Sequence, residues 1–138
     1  MNRSHAFGIR GAFAILCVFA ATWACGGDGA TAPPAPEPGQ LTVNLATSGR
    51  GGAAFLVQVT GDSISNPTAA NTNHKLYGSI EGNTLRLAVI GSAADGPLFR
   101  FHVPDVNAAD GYAVTLEEVA GSDNQLRPTE DYTLTIAR

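Results

Sequence analysis

From Leu41 onward, apolar side chains return at every second position in short runs, and Gly, Pro, Asn and Asp separate the runs. Leu41, Val43 and Leu45 alternate with Thr42, Asn44 and Ala46, the period of two that marks a strand with one buried face. The glycine-rich stretch at 48–52 leads to a second run, 54–60, apolar on both faces near its start, which predicts a central strand. Runs at 75–81 and 84–90 flank Gly82 and Asn83, a two-residue turn suited to a β-hairpin. Three further runs follow at 98–103, 112–120 and 132–137, with Phe99, Phe101 and Val103 on one face of the first and Tyr132, Leu134 and Ile136 on one face of the last. Gly, Pro or β-branched residues interrupt every helical alternative. The reading is all-β: one small β-sandwich of about seven strands over residues 40–138, with 61–73 and 121–131 as its long polar loops.

The first 24 residues follow a different rule. Arg3 and Arg10 precede an apolar run at 11–21 that is shorter than the roughly 20 residues needed to span a bilayer, and this order of charge then apolar run is that of an export signal. A retained membrane anchor is the alternative. The segment 22–25, Thr-Trp-Ala-Cys, resembles the lipobox of bacterial lipoproteins through Ala24 and Cys25, while Thr22 and Trp23 depart from its usual Leu and small residue. The resemblance implies cleavage before Cys25 and acylation of its thiol, so that the chain meets a membrane through lipid. Ordinary cleavage after Ala24, releasing a soluble protein, is the rival. Gly26 stands where an Asp would retain such proteins at the inner membrane of some envelopes, which points to the outer membrane in a cell that has one.

Cysteine usage agrees with acylation, because Cys17 lies within the signal and Cys25 is the only other cysteine. An internal disulfide is therefore excluded after maturation. Residues 26–39 contain four prolines and four glycines and nothing that could build a core. They read as a disordered linker, either a semi-stiff spacer at about 3.1 Å per residue or a slack tether. The domain boundaries are thus 1–24, 25–39 and 40–138.

Charge narrows the partners. The chain has 8 basic and 12 acidic residues, and the two arginines of the signal leave with it. The mature chain is acidic without any Lys/Arg cluster, which excludes nucleic acid as a partner. His74 and His102 are its only histidines, and no nucleophile motif accompanies them, so no catalytic residue and no enzyme activity is expected. Asp95, Asp105, Asp110, Asp123 and Asp131 fall in turns without the spacing of a calcium loop, so turn chemistry accounts for them, and neither a metal nor another cofactor is expected. Glu117 and Glu118 are adjacent on a strand and should face opposite ways. Tyr77 and Tyr112 are the candidates for stacking on a sugar, and Tyr132 for the core.

The segments AFLVQVTGDSI, GPLFRFHVPDV and YAVTLEEVAGSDNQL resemble cohesin-type and immunoglobulin-like sandwiches. That resemblance implies a binding module and assigns no binding residue. Two roles follow: a surface-displayed binding or adhesion module whose loops contact a protein or glycan, or an accessory envelope subunit that pairs through a strand edge. Metabolic labelling with a fatty-acid analogue tests the anchor: wild type takes up label, Cys25→Ala does not, and equal labelling would refute acylation.

Overall fold

The computed structural model describes residues 34–138; the signal, Cys25 and the linker as far as residue 33 lie outside the described residues. Nine strands form two antiparallel sheets. They are β1 (Gly39–Thr47), β2 (Gly52–Thr60), β3 (Ser65–Ala69), β4 (Lys75–Glu81), β5 (Thr84–Ala93), β6 (Gly96–Val103), β7 (Ala113–Ala120), β8 (Leu126–Arg127) and β9 (Tyr132–Ala137). One sheet has the order β3-β6-β1-β9 and the other β4-β5-β2-β7-β8. The seven expected strands are all present, and β2 is central in its sheet as its two-faced apolarity predicts.

The core is what the alternation dictates. Leu41 lies opposite Phe101 and Val43 opposite Phe99 in one sheet, while Val57 lies opposite Leu87 and Val59 opposite Leu85 in the other. All eight are buried. Between the sheets the Phe55 and Tyr132 rings meet edge to face at 5.9 Å, which places Tyr132 in the core as expected. Gly82, at φ 58°, supplies the positive φ required at the first position of a tight hairpin turn between β4 and β5.

The sequence expectation fails at two edges. Residues 61–73 are not a continuous loop: Ser65 pairs with His102 and Thr68 with Arg100, making β3 an edge strand, and Ile64 enters the core. Polar composition and Pro67 conceal this strand, yet an edge tolerates a proline because one side of it forms no ladder. The other expected loop contains β8, two residues paired with Val119 and Ala120.

β7 departs from strict alternation. Val57 pairs with Leu116 and Leu56 with Glu118, so Glu117 is an extra residue with no opposite number on β2. This bulge shifts the phase by one, keeping Leu116 and Val119 both toward the core despite their odd separation. It also corrects the expected placement of the two carboxylates. Glu117 reaches Arg86 on the outer face of the sheet at 2.7 Å, and Glu118 borders a hollow on that same face. A similar shift between β1 and β6 lets the consecutive Leu98 and Phe99 both be buried.

The bulge gives a sharp test. Glu117→Ala removes an exposed ion pair and should lower stability by about 0–1 kcal/mol. Deleting residue 117 removes the extra residue and leaves Leu116, Glu118 and Val119 opposite Val57, Leu56 and Phe55 in strict alternation, so urea denaturation should show a similarly small cost of about 0–1 kcal/mol, whereas a larger loss would mean that the bulge itself is needed.

Candidate functional site

The apolar surface of the domain is concentrated on the five-stranded sheet. The large hydrophobic residues that stay exposed are Tyr77 (60%), Ile80 (40%), Ile90 (41%) and Leu126 (71%), and all four belong to its strands β4, β5 and β8. Register explains how three of them share the outer face. Tyr77 lies opposite Ala88, which lies opposite Leu56. In the next row Ile90 lies opposite Ala54, Ala54 opposite Ala120, and Ala120 opposite Leu126. The first row is apolar over three strands and ends at Glu118, the second is apolar over four and begins at Lys75, and together they present an apolar surface where a solvated sheet would carry polar side chains.

The surface is not flat. Ala54, Ala88 and Ala120 floor a shallow hollow of about 220 Å³, with Leu56, Leu126 and Glu118 around it. Three methyl side chains in a field of larger ones leave room for a bulky apolar group from outside. Leu126 is held there by a structured turn: Asp123 accepts hydrogen bonds from the Gln125 amide (3.2 Å) and the Arg127 guanidinium (2.8 Å), and Asn124 takes the left-handed φ of 59°. The other end of the same face is polar. Gln58, Ser79, Glu81, Thr84, Arg86 and Glu117 line a wider depression there, crossed by the Arg86–Glu117 ion pair.

The chain enters at the end of the sandwich remote from this apolar surface. The Glu37 amide donates to Asp105 (3.1 Å), the Val106 amide donates to the Glu37 carbonyl (2.8 Å), and Arg138 donates to both Glu37 (2.9 Å) and Asn107 (2.8 Å). Glu37 is thus tied to the domain although it falls in the expected linker, and β1 starts at Gly39. The hydrogen bonds from the Glu37 and Asn107 amides hold the Asp105 carboxyl below the ordinary aspartate value of 3.8. From Thr60, beside this end, to Ala54 in the apolar rows is six residues of strand, about 20 Å.

The residues expected to carry or lack chemistry fall as follows. His102 lies on the outer face of the four-stranded sheet, its Nε2 2.8 Å from Gln40 Nε2. His74 is buried, its ring nitrogens 3.4 Å from the Leu98 carbonyl oxygen and 3.3 Å from that of Ser92. The two histidines are not brought together, and neither shares a hydrogen bond with a carboxylate or a Ser hydroxyl among the described residues. Asp95 accepts from the Thr47 amide (2.6 Å) and hydroxyl (2.9 Å) at the end of β1, and Asp105 and Asp123 accept from amides of their own turns. No three His, Cys, Asp or Glu residues gather as a metal site among the described residues. Of the two tyrosines proposed for sugar stacking, Tyr77 is open to solvent, while Tyr112 packs on Phe101 at 5.8 Å and donates its hydroxyl to the Asp62 carbonyl (2.7 Å). Burial and the nearby Asp62 and Asp105 charges raise the Tyr112 pKa. Cys25 lies outside the described residues.

Reading the sequence missed Leu56, Ala88, Ile90, Ala120 and Leu126 as site residues. A signal was present in 54–60 and 85–90, where apolar residues occupy both strand faces. Such runs fit a sheet covered on two sides, and here the second side has no covering layer among the described residues.

No protein-family model matches the chain, and no curated protein does. Among solved structures it is similar to a non-cellulosomal cohesin from the hyperthermophilic archaeon Archaeoglobus fulgidus, with 18% sequence identity and a TM-score of 0.48, covering 69% of this chain and 75% of that one. No residue role is taken from that protein.

The depressed Asp105 carboxyl sets an acid limit on the entry clamp. Its contribution to stability is complete above the ordinary aspartate range and is lost as pH falls through its lowered folded-state value, below which both folded and unfolded states are protonated. Denaturation midpoints measured from pH 6 down to about 2 should fall less steeply in Asp105→Ala than in wild type.

Proposed function

We propose that this chain is a lipid-anchored, extracytoplasmic binding module that docks a protein partner through the apolar outer face of its five-stranded sheet. The observation that carries the reading is the continuous surface formed by Tyr77, Ile90, Leu56 and Leu126 around the alanine-floored hollow. Contiguous apolar surface of this kind is uncommon on a solvated monomer and marks an interaction site. A hollow beside projecting side chains is what an apolar anchor residue of a partner would fill.

The anchor is proposed from Cys25, the lipobox resemblance and the signal before it. Each buried acyl methylene contributes about 0.8 kcal/mol, so two or more chains would hold the protein firmly to a bilayer. Position supports a protein over a lipid surface as the occupant of the sheet face. The polypeptide enters at the opposite end, and on the face of the patch Glu118, Glu117 and Glu81 outnumber Lys75 and Arg86, the latter already paired with Glu117. Carboxylates there oppose contact with anionic lipid headgroups. Docking on the sheet replaces the loop-based recognition expected from the sequence, since both supposed loops contribute strands.

The test is capture from envelope extracts with wild type and with Leu126→Asp/Ile90→Lys, both changes at exposed positions that should leave the core intact. A specific partner should be retained by wild type and weakened at least about 30-fold by the double variant, the loss of two buried apolar anchors. Equal retention would refute the sheet face as the docking surface. Binding to vesicles of anionic phospholipid by wild type, abolished in the double variant, would assign the face to membrane instead.

A further inference from the structure

A two-sheet sandwich has four strand edges, and three of these are protected. β3 carries Pro67 and an irregular register with β6. β8 has two residues. β9 runs beside β7 of the other sheet and is followed by Arg138, which is tied to Glu37 and Asn107. β4 also neighbours β3 of the other sheet, but it has neither a proline, nor an irregular register, nor a short span. Its seven residues, KLYGSIE, pair with β5 without a bulge, contain no proline, and are exposed throughout Tyr77–Glu81. A long, regular, uncovered edge is a template for another strand.

Hydrogen-bond phase follows from the hairpin. A two-residue turn makes Glu81 and Thr84 a hydrogen-bonded pair, so Ser79 and Tyr77 also spend their amide groups on β5. Leu76, Gly78 and Ile80 therefore direct theirs to the free side. Gly78 is required by the closeness of β5: a Cβ there would collide with the Arg86 carbonyl oxygen. It lies at the midpoint of the strand.

Around that midpoint the sequence is complementary to its own reverse. We propose that two copies of this chain pair antiparallel along β4, with Gly78 on the two-fold axis. Lys75 then faces the partner's Glu81, Leu76 faces the partner's Ile80, and Tyr77 faces the partner's Ser79, each repeated by symmetry. Opposite charges meet at both ends, and the two apolar residues of the inner face, including Ile80 at 40% exposure, cover each other. The outward-facing amides of residues 76, 78 and 80 coincide with those of the second copy, giving reciprocal ladder bonds about the axis. A shift of one residue in either direction would set inner against outer faces. A shift of two preserves the faces but separates Lys75 from the partner's Glu81 and Leu76 from the partner's Ile80. The register is thus specified by charge and by apolar pairing together, and the product is one continuous sheet through both molecules.

The pairing uses the β4 edge and the docking uses the outer face of the sheet, with Tyr77 common to both, so the two are told apart by the charge reversals at Lys75 and Glu81, which leave Tyr77, Ile90 and Leu126 unchanged. Both sheets and the core are complete within residues 34–138, so that domain can be studied alone, and it contains no cysteine. In sedimentation equilibrium up to about 1 mM, the range suited to a small interface, wild type should dimerise reversibly. Glu81→Lys and Lys75→Glu each place like charges opposite one another twice and should weaken association about tenfold or more. The double variant Lys75→Glu/Glu81→Lys restores opposite charges and should dimerise as wild type does. Mixing Tyr77→Cys with Ser79→Cys under mild oxidation should yield a covalent heterodimer. A wild type that stays monomeric throughout and gives no cross-link would overturn the proposal, as would a dimer whose association constant is the same in both single reversals.

Discussion

A side chain in a β-strand has two directions available to it, and this period of two governs the molecule. Phe55, Phe99 and Phe101 fill the space between the sheets because each sits in phase with neighbours across its ladder, Val89 beside Phe55, Val43 beside Phe99 and Leu41 beside Phe101. A slip of one residue in any strand would exchange core for solvent along its length. The bulge at Glu117 shows how strongly this constraint acts. The chain accommodates an unpaired residue in the middle of a ladder and thereby keeps Val119 and Leu116 on the buried side. The displaced carboxylate finds Arg86 on the outer surface.

The same constraint explains what could be read without a structure. Strands such as Leu41–Leu45 and Leu85–Val89 announce themselves because burial falls on one face, and seven of nine strands were legible on that basis. β3 was hidden because an edge strand contributes little to the core: Ile64 at its start and Ala69 against Phe99 are its apolar contacts amid polar residues and a proline. β8 is too short to show any period. For Glu117, the local sign is the odd separation of Leu116 and Val119, and which of the intervening residues is unpaired is decided by the register with β2, where Val119 meets Phe55. The candidate surface was visible as excess apolarity in β2 and β5. Alternation reports how many faces are apolar, and the architecture determines which of those faces is left uncovered.

Polar groups organise the remote end of the domain more than they organise the core. Glu37, Asp105, Asn107 and Arg138 join the entering chain, the turn after β6 and the C-terminal residue. Each contact is exposed and individually weak. Together they fix the direction in which the polypeptide leaves the sandwich, and they place that exit at the far end from the apolar rows. The histidines and turn carboxylates that might have suggested chemistry are engaged in local structure, with His74 between two carbonyl oxygens and Asp95 on Thr47.

The position of β1 has a mechanical consequence. The chain that emerges at Glu37 continues directly into β1, which lies inside the four-stranded sheet with β6 on one side and β9 on the other. Tension transmitted along that chain, with the far end of the domain held, acts parallel to β1 and perpendicular to its ladder bonds. Those bonds are then loaded together in shear, on both flanks of the strand, and cannot be opened one after another as a peeled edge strand would be. A pull through the entry point would therefore have to break both flanks of β1 at once before that strand could leave its sheet.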